Sequence, residues 1–459
     1  MTLTQLRDEV AGTVLEPDHE AYDDARRVWN GMIDRRPLAV VRAASTDDIA
    51  PTIRHARTAG VPLAIRGGGH NVAGNGTVDD GIVLDLGALT TVDVDPVTRR
   101  VRVGPGATLA HVDRATEAHG LAVPLGVISG TGVAGLTLGG GVGWLTRAHG
   151  LTIDNLVGAE VVTADGQSIA TGPEEHDDLF WAVRGGGGNF GVVSSFTFQA
   201  HPLGPDVLAG NFVYRMPSWP AALRGWGAWC SSAVPDALTS IATFFVPPPE
   251  FELGDEPIMF IGWVWAGSDR AAGERAVDSM RRAAPPDLEI AEPTSWSAWQ
   301  SQADGLFPKG VRAYWKNTSF DRLDPATIDV IVRRGTEQTW HGTGFDLHHM
   351  GGAFGRVAED ATPFPNRSAG FWLNIYGFWP DPADDAARTA FVRGYAADME
   401  PHASGGQYVN FLGQEGLGRD PAQAAAAVYG PDKLRRLMAV KRRYDPDNVF
   451  RLNHNIPPG

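Results

Sequence analysis

Glycine is gathered into three short clusters between Gly67 and Gly191, and this constrains the fold more than any other feature of the chain. The first, Arg66-Gly67-Gly68-Gly69-His70-Asn71, follows an apolar run from Val61 to Ile65 that predicts a strand. The second spans Gly126 to Gly143, with glycine at 126, 130, 132, 135, 139, 140, 141 and 143. The third, Arg184 to Gly191, precedes a β-branched strand, Val192 to Phe198. Each glycine costs backbone entropy on folding, so three clusters beside strand ends need a common cause. The economical one is a long ligand lying along the loops, pressed close to their backbone. A turn without Cβ atoms lets N–H groups converge on an anion such as a pyrophosphate, and His70 follows directly as a nucleophilic imidazole. A dinucleotide meets these requirements. A Rossmann fold does not, because Gly139 to Gly143 has the glycines of that fingerprint but no strand ahead of it.

The chain around the clusters reads as α+β. Helices are expected over 19–33, from Ser45 to Gly60 with Ser45 or Thr46 as N-cap, and from Leu109 to His119. Strands are expected at Leu38 to Ala43 and Ile82 to Leu86. Hairpins are expected at 92–103 around Asp95-Pro96 and at 159–170 around Asp165-Gly166. After about Pro205 the glycine clusters stop, and most of the fourteen tryptophans follow between Trp219 and Trp340. Strands at 212–215, 240–245, 259–265, 344–349, 355–357 and 370–378, with helices at 220–232, 269–283, 325–338 and 383–400, predict an antiparallel sheet backed by helices. A helix over 431–443 and a polar tail, Tyr444 to Asn455, close the chain.

Composition removes several classes of function. Net charge is −15, with 39 basic and 54 acidic residues and no basic tract, which argues against nucleic acid or an anionic membrane as partner. A single cysteine, Cys230, excludes an internal disulfide and a cysteine-built metal site. Met1 to Val14 is polar and mixed in charge, and no apolar run approaches the roughly 20 residues of a membrane span. A cytoplasmic protein, monomer or homodimer, with a small-molecule substrate is the expectation.

Four motifs in this order carry a resemblance: Arg66 to His70, Gly126 to Gly143, Asp178-Leu179-Phe180-Trp181-Ala182-Val183-Arg184 running into Gly191, and the Tyr444 to Asn455 tail. Together they resemble the berberine-bridge-enzyme-like FAD-linked oxidases of the vanillyl-alcohol oxidase/p-cresol methylhydroxylase superfamily. The resemblance is closest over 36–200 and 404–457. It implies a two-part FAD-binding domain of the p-cresol methylhydroxylase type, 1–205 and 404–459, with an inserted substrate domain, 206–403. It also implies FAD wrapped by residues 66–71, covalently linked from His70 to the flavin 8α-methyl carbon. Gly126, Ile128, Thr131, Gly132, Gly135, Gly139, Gly141, Val142, Gly191, Val193, Asn410, Tyr444, Asn448, Asn453 and Asn455 are the further cofactor positions it suggests. Many relatives add a second link through a cysteine. Here Ile128 stands in its place, so one link, through one histidine, is expected. Val133 falls near the position that gates oxygen in such proteins.

The activity implied is oxidation of an alcohol or amine carbon, in a sugar or an aromatic secondary metabolite, with hydride passing to flavin N5 and oxygen returning hydrogen peroxide. A dehydrogenase using another acceptor, or a non-catalytic flavin or ligand carrier, are the alternatives. Such chemistry needs a base. Relatives draw it from a Y-x-N-Y segment, which here reads Tyr408-Val409-Asn410-Phe411, so Tyr408 is the candidate. Tyr314 with Lys316, and Asn374 with Tyr376, are candidate substrate-site pairs, each pair sharing one strand face. Glu359 and Glu415 are further candidate bases. His348 and His349, adjacent on a strand, point to opposite faces and do not form a metal site.

Overall fold

The first strands are β1 (Thr13–Leu15), β2 (Ala39–Arg42), β3 (Leu63–Arg66) and β4 (Ile82–Asp85). In the computed structural model, which describes residues 3–413 and 420–459, they form one sheet of order β1-β2-β4-β3. β2, β4 and β3 are parallel, and β1 runs antiparallel to β2. The first glycine turn therefore leaves the carboxyl end of a parallel strand. Between β2 and β3, Ser45 accepts a hydrogen bond from Asp47 N and the Asp48 carboxylate accepts from Ser45 N, capping the entry to helix Ile49–Ala59.

Next come β5 (Val92–Asp95), β6 (Arg100–Val103), the two-residue β7 (Leu121–Ala122), β8 (Leu156–Val162), β9 (Ser168–Thr171), β10 (Val192–Gln199) and β11 (His201–Pro202). Five of them make an antiparallel sheet, β5-β6-β10-β8-β9, while β7 pairs with β11. The second glycine cluster runs through helix Val133–Gly139, not a strand.

The third sheet is antiparallel throughout. It holds β12 (Asp206–Arg215), β13 (Leu238–Phe245), β14 (Ile258–Trp265), β15 (Leu288–Ile290), β16 (Thr294–Ser295), β17 (Arg312–Phe320), β18 (Thr343–His349) and β19 (Phe371–Trp379). Their order is β15-β12-β14-β13-β18-β19-β17, with β16 against β12. One face buries Phe212, Phe244, Phe345, Leu347, Leu373 and Ile375 under helices that contribute Trp219, Trp226, Met280, Ile331 and Tyr395. Most of the insert's tryptophans serve this core and its edges rather than a ligand. A separate core draws on residues 101–200 and again on 409–456, so the chain leaves it and returns.

Two expected elements differ. The segment 19–33 is helical only over Tyr22–Ala25. Asn30 is tied instead to the Val72 and Ala313 carbonyls (2.8 and 2.9 Å), and Trp29 N to Gly69 O, contacts that a continuous helix would forbid. Residues 355–357 are not a strand, because Ala353–Arg356 is a single helical turn. The last helix, Pro421–Tyr444, begins ahead of the expected 431 and bends at Gly430, where φ is 72°. Among the described residues no helix is long and apolar enough to cross a membrane, and no cluster of three metal-ligating side chains occurs.

Candidate functional site

The turn at 66–71 is fastened through its carbonyls. Leu86 N–H donates to Arg66 O (2.8 Å), Trp29 N–H to Gly69 O (3.0 Å) and Gly74 N–H to Asn71 O (3.0 Å). The Arg66 guanidinium is engaged by Asp85 (2.8 Å) and the Ala25 carbonyl (2.6 Å). A turn held in this way can present N–H donors to the space it curls around. A Cβ on Gly68 would lie 2.6 Å from Gly132 Cα, and one on Gly132 would lie 2.5 Å from Gly68 N. The first two clusters therefore meet backbone to backbone. Much of the glycine requirement comes from loop meeting loop, rather than from loop meeting ligand as the sequence suggested. Gly139 likewise gives room to the Asn410 side chain and Gly141 to Thr152, whereas a Cβ on Gly135 would enter open space.

These loops line a cleft of about 1700 Å³, counting the open space at its mouth. Arg66, Gly67, Gly68, Gly69, His70 and Asn71 stand at one end. Gly126, Ile128, Thr131, Gly132, Gly135, Gly139 and Val142 form a wall, and Gly191, Val193, Asn410 and Asn453 complete it. Four expected cofactor positions lie off the cleft. Gly141 is turned into Tyr408, whose hydroxyl accepts from its N–H (2.9 Å). Tyr444 donates to Asp178 (2.9 Å). Asn448 holds a left-handed turn, φ 53°, and Asn455 follows the cleft-lining Asn453 and His454 without joining them. The tail acts as a buttress: buried Lys441 Nζ donates to Asp445 (2.7 Å), Asn189 O (2.7 Å) and Phe450 O (2.9 Å). Val133, expected near an oxygen gate, is buried in the core, while Ala134 and Gly135 reach the cleft.

His70 stacks on Trp29, with ring centroids 4.6 Å apart and an interplanar angle of 22°. Loss of solvent lowers its pKa to about 4, against weaker pulls from its own backbone and Asp304, so the imidazole is neutral. Nothing in the sequence marked Trp29, which lies outside every motif.

The free face of the third sheet stands across the cleft. Register aligns Thr243 on β13, Asp346 on β18, Asn374 on β19 and Asn317 on β17 in one polar row. Tyr376 OH donates to Asp346 Oδ1 (3.2 Å). Burial pushes the Asp346 carboxyl up to about 6, opposed by hydrogen bonds from Thr243, Tyr376 and Asn374. The row ends on Tyr408: Asn317 Oδ1 accepts from Tyr408 N (2.9 Å) and Asn317 Nδ2 donates to Tyr408 O (3.3 Å). Asp346 lines both the cleft and an adjoining chamber of about 1130 Å³, counting the open space at its mouth, and the two also share Val127, Ile128 and Phe307.

Asp346 was not among the sequence candidates. Its signal was available, since it is the one acid in a strand where Phe345 and Leu347 alternate inward. Asn374 lines the cleft and Tyr376 the chamber. Tyr314 and Lys316 are a correction. On β17 it is Trp315 that reaches the cleft and Asn317 that meets Tyr408, which puts Tyr314 and Lys316 on the opposite face. Tyr314 packs in the helix-side core and its hydroxyl accepts from Arg393 Nε (3.0 Å).

Tyr408 is not set up as a base. Its hydroxyl accepts from Gly141 N and Asn410 Nδ2 (both 2.9 Å), and burial pushes its pKa to about 12. Glu359 is held at the surface by Lys433 and the N–H groups of Asn366 and Arg367. Glu415 lies outside the described residues. His348 faces the chamber and His349 the other way, onto Arg147 (3.1 Å).

A ligand with hydrogen-bonding groups suits this cleft. Two polar atoms of its lining, Asn374 Oδ1 and His454 Nε2, are buried without a protein partner, and Gly135 leaves room.

Comparison with known proteins agrees with the geometry. A family model described as "FAD binding domain" matches residues 37–172, and one described as "Berberine and berberine like" matches 407–457. The chain is 30% identical over 463 residues to (R)-6-hydroxynicotine oxidase of Paenarthrobacter nicotinovorans, covering 98% of this chain and 97% of that one. The solved structure of 6-hydroxy-D-nicotine oxidase from Arthrobacter nicotinovorans superposes with a TM-score of 0.87 at 27% identity, over 100% of both chains. Glucooligosaccharide oxidase from Acremonium strictum, described with a 6-S-cysteinyl, 8α-N1-histidyl FAD, superposes with a TM-score of 0.85 at 23% identity, covering 99% of each chain.

Proposed function

We infer the function from one premise: this chain belongs to the berberine-bridge-enzyme-like FAD-linked oxidoreductases, in the vanillyl-alcohol oxidase/p-cresol methylhydroxylase flavoprotein family. It is an FAD enzyme. We propose that it is an oxidase acting on an alcohol or amine carbon of a small molecule, with residues 1–205 and 404–459 as the FAD-binding domain and 206–403 as the substrate domain. The cytoplasm suits its lone, unpaired Cys230.

Bound FAD supplies a two-electron acceptor, taking hydride from the substrate carbon and passing the electrons to oxygen with hydrogen peroxide as product. The chain's residues do the rest. The glycine loops would hold the cofactor through backbone N–H groups, with Asn410, Asn453 and His454 beside it. His70, neutral and fixed by Trp29, has the lone pair needed for a covalent bond to the flavin 8α carbon. Ile128 has no such chemistry, so the attachment is single. Asp346 is ionised above about pH 6 and takes the proton that leaves the substrate's oxygen or nitrogen. Tyr376, Thr243 and Asn374 orient its carboxylate. The observation that carries this reading is the buried Asp346 row set across the glycine-lined cleft.

Two measurements test it. Acid-precipitated protein is expected to keep its yellow colour in the pellet, and His70→Ala to release it; free colour from the native chain ends the covalent assignment. Flavin bleached anaerobically by substrate is expected to recover on admission of air with one peroxide per substrate. Flavin that stays reduced in air identifies a dehydrogenase, and a chain that binds FAD but is bleached by no alcohol or amine is a carrier.

A further inference from the structure

The chamber beside the cleft has a chemistry of its own. Its lining comes from six adjacent strands, β19, β18, β13, β14, β12 and β15, a reach of about 24 Å at some 4.8 Å per strand. Its walls are aromatic, with Trp144, Phe245, Phe260 and Phe307 among them. Phe251 and Ile290, 38% and 41% exposed, are two of the few large apolar side chains the protein shows to solvent, and both line this chamber. They put apolar surface at the chamber's solvent side.

Against these walls stands one carboxylate. Among the described residues no lysine, arginine or second acid lines the chamber, and none of them gives the buried Asp346 a cationic partner. An unpaired buried charge is costly, and a ligand cation offsets that cost. Aromatic walls favour a cation as well. Two residues along the same strand, on the same face and about 7 Å away, is His348, 3% exposed. Its Nε2 is buried and has no partner. The remaining polar groups are few. Thr243 and Tyr376 bond Asp346, and Asn211 bonds Gln302 (3.4 Å). A sugar, bearing a hydroxyl on nearly every carbon, would leave most of them unpaired against phenylalanine.

We propose that the chamber takes a ring-bearing, otherwise apolar amine with one distal hydrogen-bonding group, its ammonium facing Asp346 and its distal group meeting His348 Nε2. This rests on the reading above that Asp346 stands over the reacting carbon. His348 is then a specificity-determining residue, selecting for the far end of the substrate.

The test uses the FAD-loaded enzyme under anaerobic conditions, with affinity read from the flavin absorbance change and checked by calorimetry. The probes are tyramine, phenethylamine (no distal hydroxyl), 4-hydroxyphenethyl alcohol (no ammonium) and xylobiose. Tyramine is expected to bind tightest, with loss of either end weakening affinity about tenfold, as for one buried hydrogen bond or ion pair. His348→Phe should weaken tyramine about tenfold and leave phenethylamine within about twofold, and His348→Gln should recover part of the loss. Asp346→Asn should abolish the preference for tyramine over the alcohol. Xylobiose or the alcohol binding as tightly as tyramine, equal weakening of both amines by His348→Phe, or no amine binding at millimolar concentration would overturn the proposal. Protein that purifies without flavin would count against the flavoenzyme reading instead, and calorimetric tyramine binding to that protein would still report on the chamber.

Discussion

On one side of the cleft the protein presents backbone, glycine loops locked together at Gly68 and Gly132. On the other it presents side chains, hung at fixed intervals from antiparallel strands. The difference teaches which site tolerates change. A backbone surface is specified by what is missing, so almost any added atom damages it. A side-chain surface is specified by register, so single residues can be exchanged while the sheet stands.

The sharpest way to break this contrast is to add one carbon to the loops. Gly68→Ala places a Cβ against the Gly132 backbone, and flavin content, read at the visible absorbance band, is expected to fall to background; Gly130→Ala, in the second cluster but off the cleft and with nothing within 4 Å of the added carbon, should keep full stoichiometry. Gly68→Ala protein with normal flavin would remove the loop-to-loop argument. On the sheet face, Asp346→Asn should lower turnover about 10²–10⁴-fold with flavin content unchanged. The wild type should lose activity as pH falls through about 6, where the Asp346 carboxyl takes up a proton, and the variant's residual rate should lack that limb. Turnover independent of pH between 5 and 7 would take the proton-acceptor role from Asp346.

Smaller effects probe the edges of the comparison. Tyr314→Phe removes the Arg393 hydrogen bond on the helix side of β17 and should cost about 1 kcal/mol in urea unfolding with kcat unchanged. At the seam between the two regions, Asp113 on the glycine side accepts from Trp296 Nε1 (3.0 Å) on the other, and burial raises its carboxyl to about 7. A folded pKa above the unfolded one contributes stability below about pH 4 that is lost as pH rises through 7. Asp113→Asn should therefore melt less far below its acid-side Tm at pH 8 than the wild type does.

The legibility of the two regions follows the same contrast. Glycine is visible in a sequence as composition, so the turn at 66–71, the wall from Gly126 to Val142 and the family resemblance were all accessible. Their reason was only half accessible, because contact between Gly68 and Gly132 is a tertiary fact. The sheet face was harder. Tyr314 and Lys316 were read one position out of register, and in a strand a slip of one residue exchanges the faces. Asp346 shows in the sequence only as a lone acid among alternating apolar residues, and its place beside Thr243 and Asn374 is set by strand pairing. Trp29 and Asn30 were invisible, since their roles depend on partners at His70, Val72 and Ala313, far away in sequence.

The clasp of Asn317 on Tyr408 has an evolutionary consequence. At that end the sheet shares a joint with the cofactor bed, so mutations on β17 carry a pleiotropic burden and selection should hold the strand constant. At β12 and β14 the sheet meets the cofactor side through apolar packing on Trp144, which holds Gly262 fixed, whereas Phe251 and Phe260, packed on Phe245, can drift. Descendants of this chain would then diversify in what they oxidise by rewriting the far strands, while inheriting the redox machinery whole.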